Sequence, residues 1–91
     1  MTLDTVFLRE YLNKEIRRLS RVVAREKENI FAYQQGIAMR RTAIEGDTVR
    51  KWEYGNGIQN LEGKMLQADV KIAAVQGTIN KLSEAEAALS V

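Results

Sequence analysis

The chain has 91 residues and a formal net charge of +2, and it contains no cysteine, histidine or proline. With 45% hydrophobic and 29% charged residues, this is the composition of a helical or coiled-coil protein of one domain at most. The absence of cysteine and histidine excludes zinc fingers, histidine-ligated haem, disulfides, thiol nucleophiles and imidazole general bases.

The first predicted element is a helix over about 3–45. From Leu12 onward, its apolar residues recur at alternating intervals of four and three, which is the spacing of a coiled-coil heptad. Glu26 and Arg40 interrupt this pattern. Either they pair with each other between two associated hairpins, or the aliphatic part of each side chain stays on the seam while its charged group reaches water. The first seam consists of Leu12, Ile16, Leu19, Val23, Glu26, Ile30, Tyr33, Ile37, Arg40 and Ile44.

A connector is predicted over 46–56, because three of the six glycines lie between Gly46 and Gly57. Gly46 is expected to end the first helix, and Asn56 is expected to cap the start of the second. The alternative is a tighter reversal at Gly46, with Gly55 and Gly57 inside a continuous second helix. Two helical glycines cost about 1 kcal/mol each relative to alanine, which favours the longer connector.

The last predicted element is a helix over about 57–89, which carries a second heptad seam with Glu86 as its only polar member. No β-strand is predicted, because apolar and polar residues do not alternate with a period of two. The sequence therefore predicts an all-α fold, an antiparallel, coiled-coil-like two-helix hairpin that forms a single domain over 1–91. The second seam consists of Ile58, Leu61, Met65, Ala68, Ile72, Val75, Ile79, Leu82, Glu86 and Leu89.

The register of the hairpin is predicted from the two seams. Antiparallel pairing with residue i facing roughly residue 98 minus i places the connector at the centre, although a slip of one heptad satisfies the seams equally well. The predicted pairs are Val23 with Val75, Ile30 with Ala68, and Ile37 with Leu61.

Further apolar residues lie outside the seams, so the hairpin is predicted to assemble into a four-helix or larger bundle. The second helix carries a stripe of Leu66, Val70, Ala73 and Gly77 on a face away from its seam. Trp52 and Tyr54 in the predicted connector are candidate anchors for a partner. The alternative is a local cap in which Trp52 folds over the open end of the helix pair. The first helix adds Leu8, Val22 and Ala43 beside its seam, and Val6, Phe7 and Phe31 elsewhere.

A basic stripe runs along the first helix. Lys14, Arg18, Arg21 and Arg25 follow one another at intervals of four, three and four, so they share one face. Such a stripe can track the phosphates of a nucleic acid or dock an acidic helix. The alternative is a solvated outer face, and no aromatic residues interleave with the stripe.

No combination of residues supports catalysis, a metal site or a cofactor site, because the carboxylates are spread along rods that enclose no obvious pocket. The N-terminal residues lack the pattern of a signal peptide, and no apolar run approaches the roughly 20 residues that span a bilayer. We therefore expect a soluble protein without membrane insertion, either cytoplasmic or within a particle that is assembled in the cytoplasm.

A helical hairpin of this length with tryptophan near its bend is superficially similar to the WXG-type proteins of specialised bacterial secretion. In this chain, however, Gly55 follows Trp52 by three positions instead of two, and 83–91 contains no tyrosine. No family is assigned on this basis.

The function expected from the sequence is that of a non-enzymatic structural or adaptor subunit that self-associates or docks into a larger assembly. A phage virion or a similar particle is one example of such an assembly. The alternatives are a small inhibitor or regulator that binds a host factor, and a nucleic-acid-associated protein that uses the basic stripe.

Overall fold

Two long helices form the structure, a computed structural model that describes residues 3–45 and 48–89. Side chains are described within these ranges except at Leu3, at Trp52 and Glu53, and over 48–50. Helix α1 is Leu3–Ile44 and helix α2 is Thr48–Leu89, each of 42 residues. They pair as an all-α hairpin that measures 69 × 14 × 14 Å, which confirms the predicted fold class. Neither helix has a described stretch apolar enough to cross a membrane.

Helix α1 can run without interruption because the chain has no proline to remove a backbone donor or to kink it. Asp4 lies in its first turn and Arg41 in its last, so each charge opposes the partial charge of the nearer end of the helix dipole. The helix ends at Ile44, and the backbone N–H of Glu45 donates to the carbonyl of Thr42 at 3.3 Å. The predicted role of Gly46 at the end of this helix lies outside the described residues.

The core of the hairpin lies between the two seams. Every position of both seams is buried or half-buried, as the heptad spacing predicts. Even the most buried side chains retain a little exposure, because a pair of helices offers each side chain cover from only one neighbouring helix. The buried core residues are Leu12, Val23, Ile37, Ile58, Ala68 and Ile79.

The register agrees with the prediction to within one residue near the middle of the hairpin. A Cβ built on Gly36 would lie 3.1 Å from the side chain of Leu61, which was predicted to face Ile37. The Nζ of Lys71 donates to the carboxylate of Glu26 at 3.1 Å, one position from the predicted pairing. A slip of one heptad would separate both pairs by about two helical turns, so these contacts select the predicted register.

The connector is much shorter than predicted. Helix α2 begins at Thr48, so Asn56 lies inside the helix instead of capping it, and the tight reversal is the correct interpretation. The physical reason is that helical residues before Asn56 give the last turns of α1 a packing partner. Tyr54 is half-buried and lines a shallow depression together with Ala43 at the end of α1. This contact and the additional backbone hydrogen bonds offset the cost of the helical glycines.

Gly57 leaves space for the side chain of Arg40. A Cβ built on Gly57 would lie 3.1 Å from Nε and 3.5 Å from Cδ of Arg40. The guanidinium then reaches back along α1, where its Nη1 donates to the carbonyl of Gly36 at 3.1 Å. Arg40 is therefore accommodated on the seam by a contact within the hairpin, and it does not need a carboxylate from a second hairpin.

Glu26 is also satisfied within the chain. Its side chain is 15% exposed and accepts a hydrogen bond from the more exposed ammonium of Lys71. Within a single hairpin, then, both residues have partners and neither side chain simply extends into water. The suggested pairing of Glu26 with Arg40 between hairpins stays a prediction. Sequence spacing alone did not indicate Lys71, because Lys71 lies next to the second seam instead of on it.

Leucine at position 26 should stabilise the hairpin. Glu26→Leu replaces a half-buried charge, whose ion pair offsets little of its desolvation, by a side chain suited to the seam. We expect the free energy of unfolding to rise by about 1–2 kcal/mol, measured by urea titration of the circular dichroism at 222 nm. Glu28→Leu, at an exposed position of the same helix, is the matched control and should change it by less than about 0.5 kcal/mol. A lower urea midpoint for Glu26→Leu would contradict this interpretation.

Candidate functional site

Eight large apolar side chains lie on the outer surface of the hairpin, outside its two seams. Among the described residues, six are buried core residues, whereas eight large hydrophobic side chains are between 39% and 73% exposed. Single exposed hydrophobic residues are normal, but contiguous patches of them mark interaction surfaces. The eight are Val6, Phe7, Leu8, Tyr11, Phe31, Met39, Leu66 and Val70.

Four of these side chains surround the beginning of α1. They lie within six consecutive residues, so they point in several directions around the helix, and Phe7 and Tyr11 are neighbours one turn apart. Arg9 lies among them, three positions before the first seam residue, and its Nη2 donates to Glu86 of α2 at 3.3 Å. The open end of the hairpin is therefore apolar on the outside and ionic at its seam.

The predicted stripe on α2 lies on the outer surface of the hairpin. Leu66 and Val70 are 66% and 63% exposed, and Ala73 is exposed as well. A Cβ built on Gly77 would meet no atom within 4 Å, so the surface at this position is open. The stripe is thus uncovered in a single hairpin, and its binding of a partner stays a prediction.

Trp52 and Tyr54 belong to α2 and not to a connector. The side chain of Trp52 lies outside the described part of the chain. Tyr54 lines the depression formed with Met39, Arg40 and Ala43, and it is half-buried there. Tyr54 therefore contacts its own chain, and its binding of a partner stays a prediction.

The basic stripe is exposed along its whole length, and α2 adds a further cation to it. Arg18, Arg21 and Arg25 line a shallow cleft whose other members are Val22, Glu26 and Lys71. Arg18 donates through Nε to Glu15 at 2.7 Å, whereas Lys71 is held by Glu26. The predicted register could have revealed the contribution of α2, because it places Glu26 opposite Ile72, the neighbour of Lys71.

The opposite side of the hairpin has a different character. There the Nη2 of Arg41 donates to Glu62 at 2.8 Å, and both side chains are at least half exposed. Beside this ion pair, Ile37, Ala38 and Met65 line a shallow, mainly apolar depression. We call this the Arg41 side. The sequence did not single it out, because it is formed by both helices and becomes visible only when their register is known.

No cluster of three or more acidic side chains that could hold a metal ion occurs within 3–45 and 48–89. No family model matches the chain, and no curated protein or solved structure is significantly similar to it.

Proposed function

We propose that the protein is a non-enzymatic helical-hairpin subunit that self-associates or docks into a larger protein assembly through its outer apolar faces. The observation that carries this proposal is the set of eight large hydrophobic side chains that are between 39% and 73% exposed in the described part of the chain. Full burial of a side chain of this size contributes roughly 1.5–3 kcal/mol relative to full exposure, so each of the eight loses the share that belongs to its exposed surface.

The shape of the molecule supports the same proposal. A rod 14 Å across has one helix on each side of its core, so its outer faces stay uncovered unless a further layer packs on them. Hairpins that associate side by side form a four-helix bundle, in which the outer residues of one pair become core residues. This geometry supports a structural or adaptor role, which requires no catalytic group.

The experiment is to measure the solution mass by size-exclusion chromatography with light scattering. We expect a discrete dimer or larger oligomer for the wild-type chain, and a smaller mass for the double variant Leu66→Glu with Val70→Glu, because charges on the apolar stripe oppose its burial. The matched control is Arg21→Glu with Arg25→Glu, which changes two exposed positions on the basic stripe and should keep the wild-type mass. A wild-type chain that remains monomeric up to about 1 mM, where even weak specific interfaces associate, would contradict self-association.

A second candidate function is binding of a polyanion such as nucleic acid. The observation that favours it is the cleft in which Lys71 of α2 joins three arginines of the basic stripe. The same chromatography distinguishes this candidate, because a bound nucleic acid would raise the absorbance ratio at 260 and 280 nm and would dissociate as salt is added. Loss of that signal in the Arg21→Glu, Arg25→Glu control, with the mass otherwise unchanged, would assign the basic stripe to this role.

A further inference from the structure

The Arg41 side presents apolar side chains on both helices. Residues three, four or seven positions apart lie on the same face of a helix, so the positions that accompany Arg41 and Glu62 can be identified from their spacing. Phe31 is 63% exposed and Leu66 is 66% exposed, and the other residues of the side are exposed as well. The positions on this side are Ala24, Lys27, Phe31, Gln34 and Ala38 of α1, and Leu66, Asp69 and Ala73 of α2.

Phe31 and Leu66 lie at the same height along the rod. Phe31 follows Glu26 by five residues, and Leu66 precedes Lys71 by five residues, so both lie the same distance from the Glu26–Lys71 ion pair toward the turn. Nearer the turn, Gly36 of α1 lies close to the side chain of Leu61 of α2, and this contact gives the same register. The two largest apolar side chains of the Arg41 side are therefore level with one another.

Over 24–41 and 62–73, the charges on this side are divided between its two edges. The edge on α1 carries Lys27 and Arg41, whereas the edge on α2 carries Glu62 and Asp69. Arg41 and Glu62 already attract each other within the chain at 2.8 Å. A surface with one basic and one acidic edge is complementary to a copy of itself that is turned so that the edges exchange places.

We infer that a second copy of the chain covers the Arg41 side, with the two hairpins pointing the same way and α1 of each lying along α2 of the other. This inference rests on the self-association proposed above. A two-fold axis parallel to the rod produces this arrangement and places Phe31 of each copy over Leu66 of the other. It also sets Lys27 opposite Asp69 across the interface, and neighbouring helices run antiparallel throughout the resulting bundle.

Two other arrangements fit the observations less well. If the hairpins pointed in opposite directions, α2 would lie along α2, and the edges that carry Glu62 and Asp69 would face each other. If the copies met through the back of α2, the face that carries Val70 and Gly77, these two residues would be covered, but Phe31 would stay exposed. A side face of a rod 69 Å long and 14 Å wide is also large enough for a specific interface, which buries about 800 Å² on each partner.

Cysteine cross-linking tests the arrangement, because the chain has no cysteine of its own. We expect Phe31→Cys and Leu66→Cys proteins, mixed and oxidised, to yield at least tenfold more disulfide-linked heterodimer than homodimer of either protein. Homodimers of each single variant would instead indicate hairpins that point in opposite directions, and preferential homodimers of Val70→Cys would indicate the back of α2. Either result would overturn the inference.

A charge exchange provides an independent test of the same interface. Lys27→Asp should weaken the dimer by at least tenfold in its dissociation constant, and the further change Asp69→Lys should restore most of the affinity. Circular dichroism at 222 nm checks that each variant remains helical. A dimer by light scattering that gives neither the heterodimer nor the restored affinity would refute the inference and leave the proposed function standing, whereas a monomeric wild-type chain would contradict self-association itself.

Discussion

Replacing Ile37 by aspartate should abolish the cooperative helical fold. Ile37 is one of the six buried core residues and lines the depression beside the Arg41–Glu62 ion pair. The substitution removes its apolar burial and places a carboxylate on the seam, with a combined cost of about 5 kcal/mol or more. A domain of this size is stable by only about 5–15 kcal/mol, so much of the chain should be unfolded. The measurement is the ellipticity at 222 nm, followed by urea titration.

Gln35→Asp is the matched control for this substitution. Position 35 is exposed, lies two residues away on the same helix, and receives the same new side chain. Its cost should be limited to the lower helix propensity of aspartate, at most about 0.7 kcal/mol. Equal urea midpoints for the two variants would mean that the seam at Ile37 does not stabilise the hairpin.

Alanine at Gly55, Gly63 and Gly77 should together raise the free energy of unfolding by about 3 kcal/mol. A Cβ built on each of these glycines would meet no atom within 4 Å, so the methyl groups fit without displacing any side chain. Each substitution restricts the unfolded chain and improves helix propensity by about 1 kcal/mol. Thermal and urea unfolding at low protein concentration would measure the gain.

Gly57→Ala is the internal control for the glycine series, because the same substitution there meets Arg40 at 3.1 Å. The arginine has to move, and its hydrogen bond to the carbonyl of Gly36 is weakened. We expect a gain clearly smaller than at Gly55, or a loss. If all four positions responded alike, the close approach of Arg40 to Gly57 would not matter for stability.

Most of the fold could be predicted from the sequence because heptad spacing encodes both seams and, up to a slip of one heptad, their register. The length of the connector could not be predicted. Helix propensity includes the cost of placing Gly55 and Gly57 in a helix, but it does not include the stabilisation that the first turns of α2 gain by packing on the end of α1. Tyr54 lies against the end of α1 and Arg40 lies over Gly57, and both contacts become visible only when the helices are paired. The error therefore arose from weighing a local cost without its tertiary compensation.

The candidate surfaces, too, could be predicted where a single helix determines them, but not where both helices contribute. Intervals along one helix predicted the exposure of the basic stripe and of Leu66 and Val70, because a single helix determines which residues share its face. The pairing of Glu26 with Lys71 required the register, since the two residues come from different helices. Whether any of these surfaces binds a partner depends on a second molecule, and the sequence of one chain does not encode that partner's identity.

The antiparallel pairing also sets the order in which the hairpin can form. Near the turn, Ala43 and Tyr54 lie close together along the chain, whereas Arg9 and Glu86 at the open end are 77 positions apart. Closing a longer loop costs more conformational entropy, so contacts near the turn can form first and shorten the loops that the later contacts must close. We therefore expect folding to proceed from the turn toward the open end. The apolar side chains around the beginning of α1 are then the last to find their neighbours and the first to lose them when the protein unfolds.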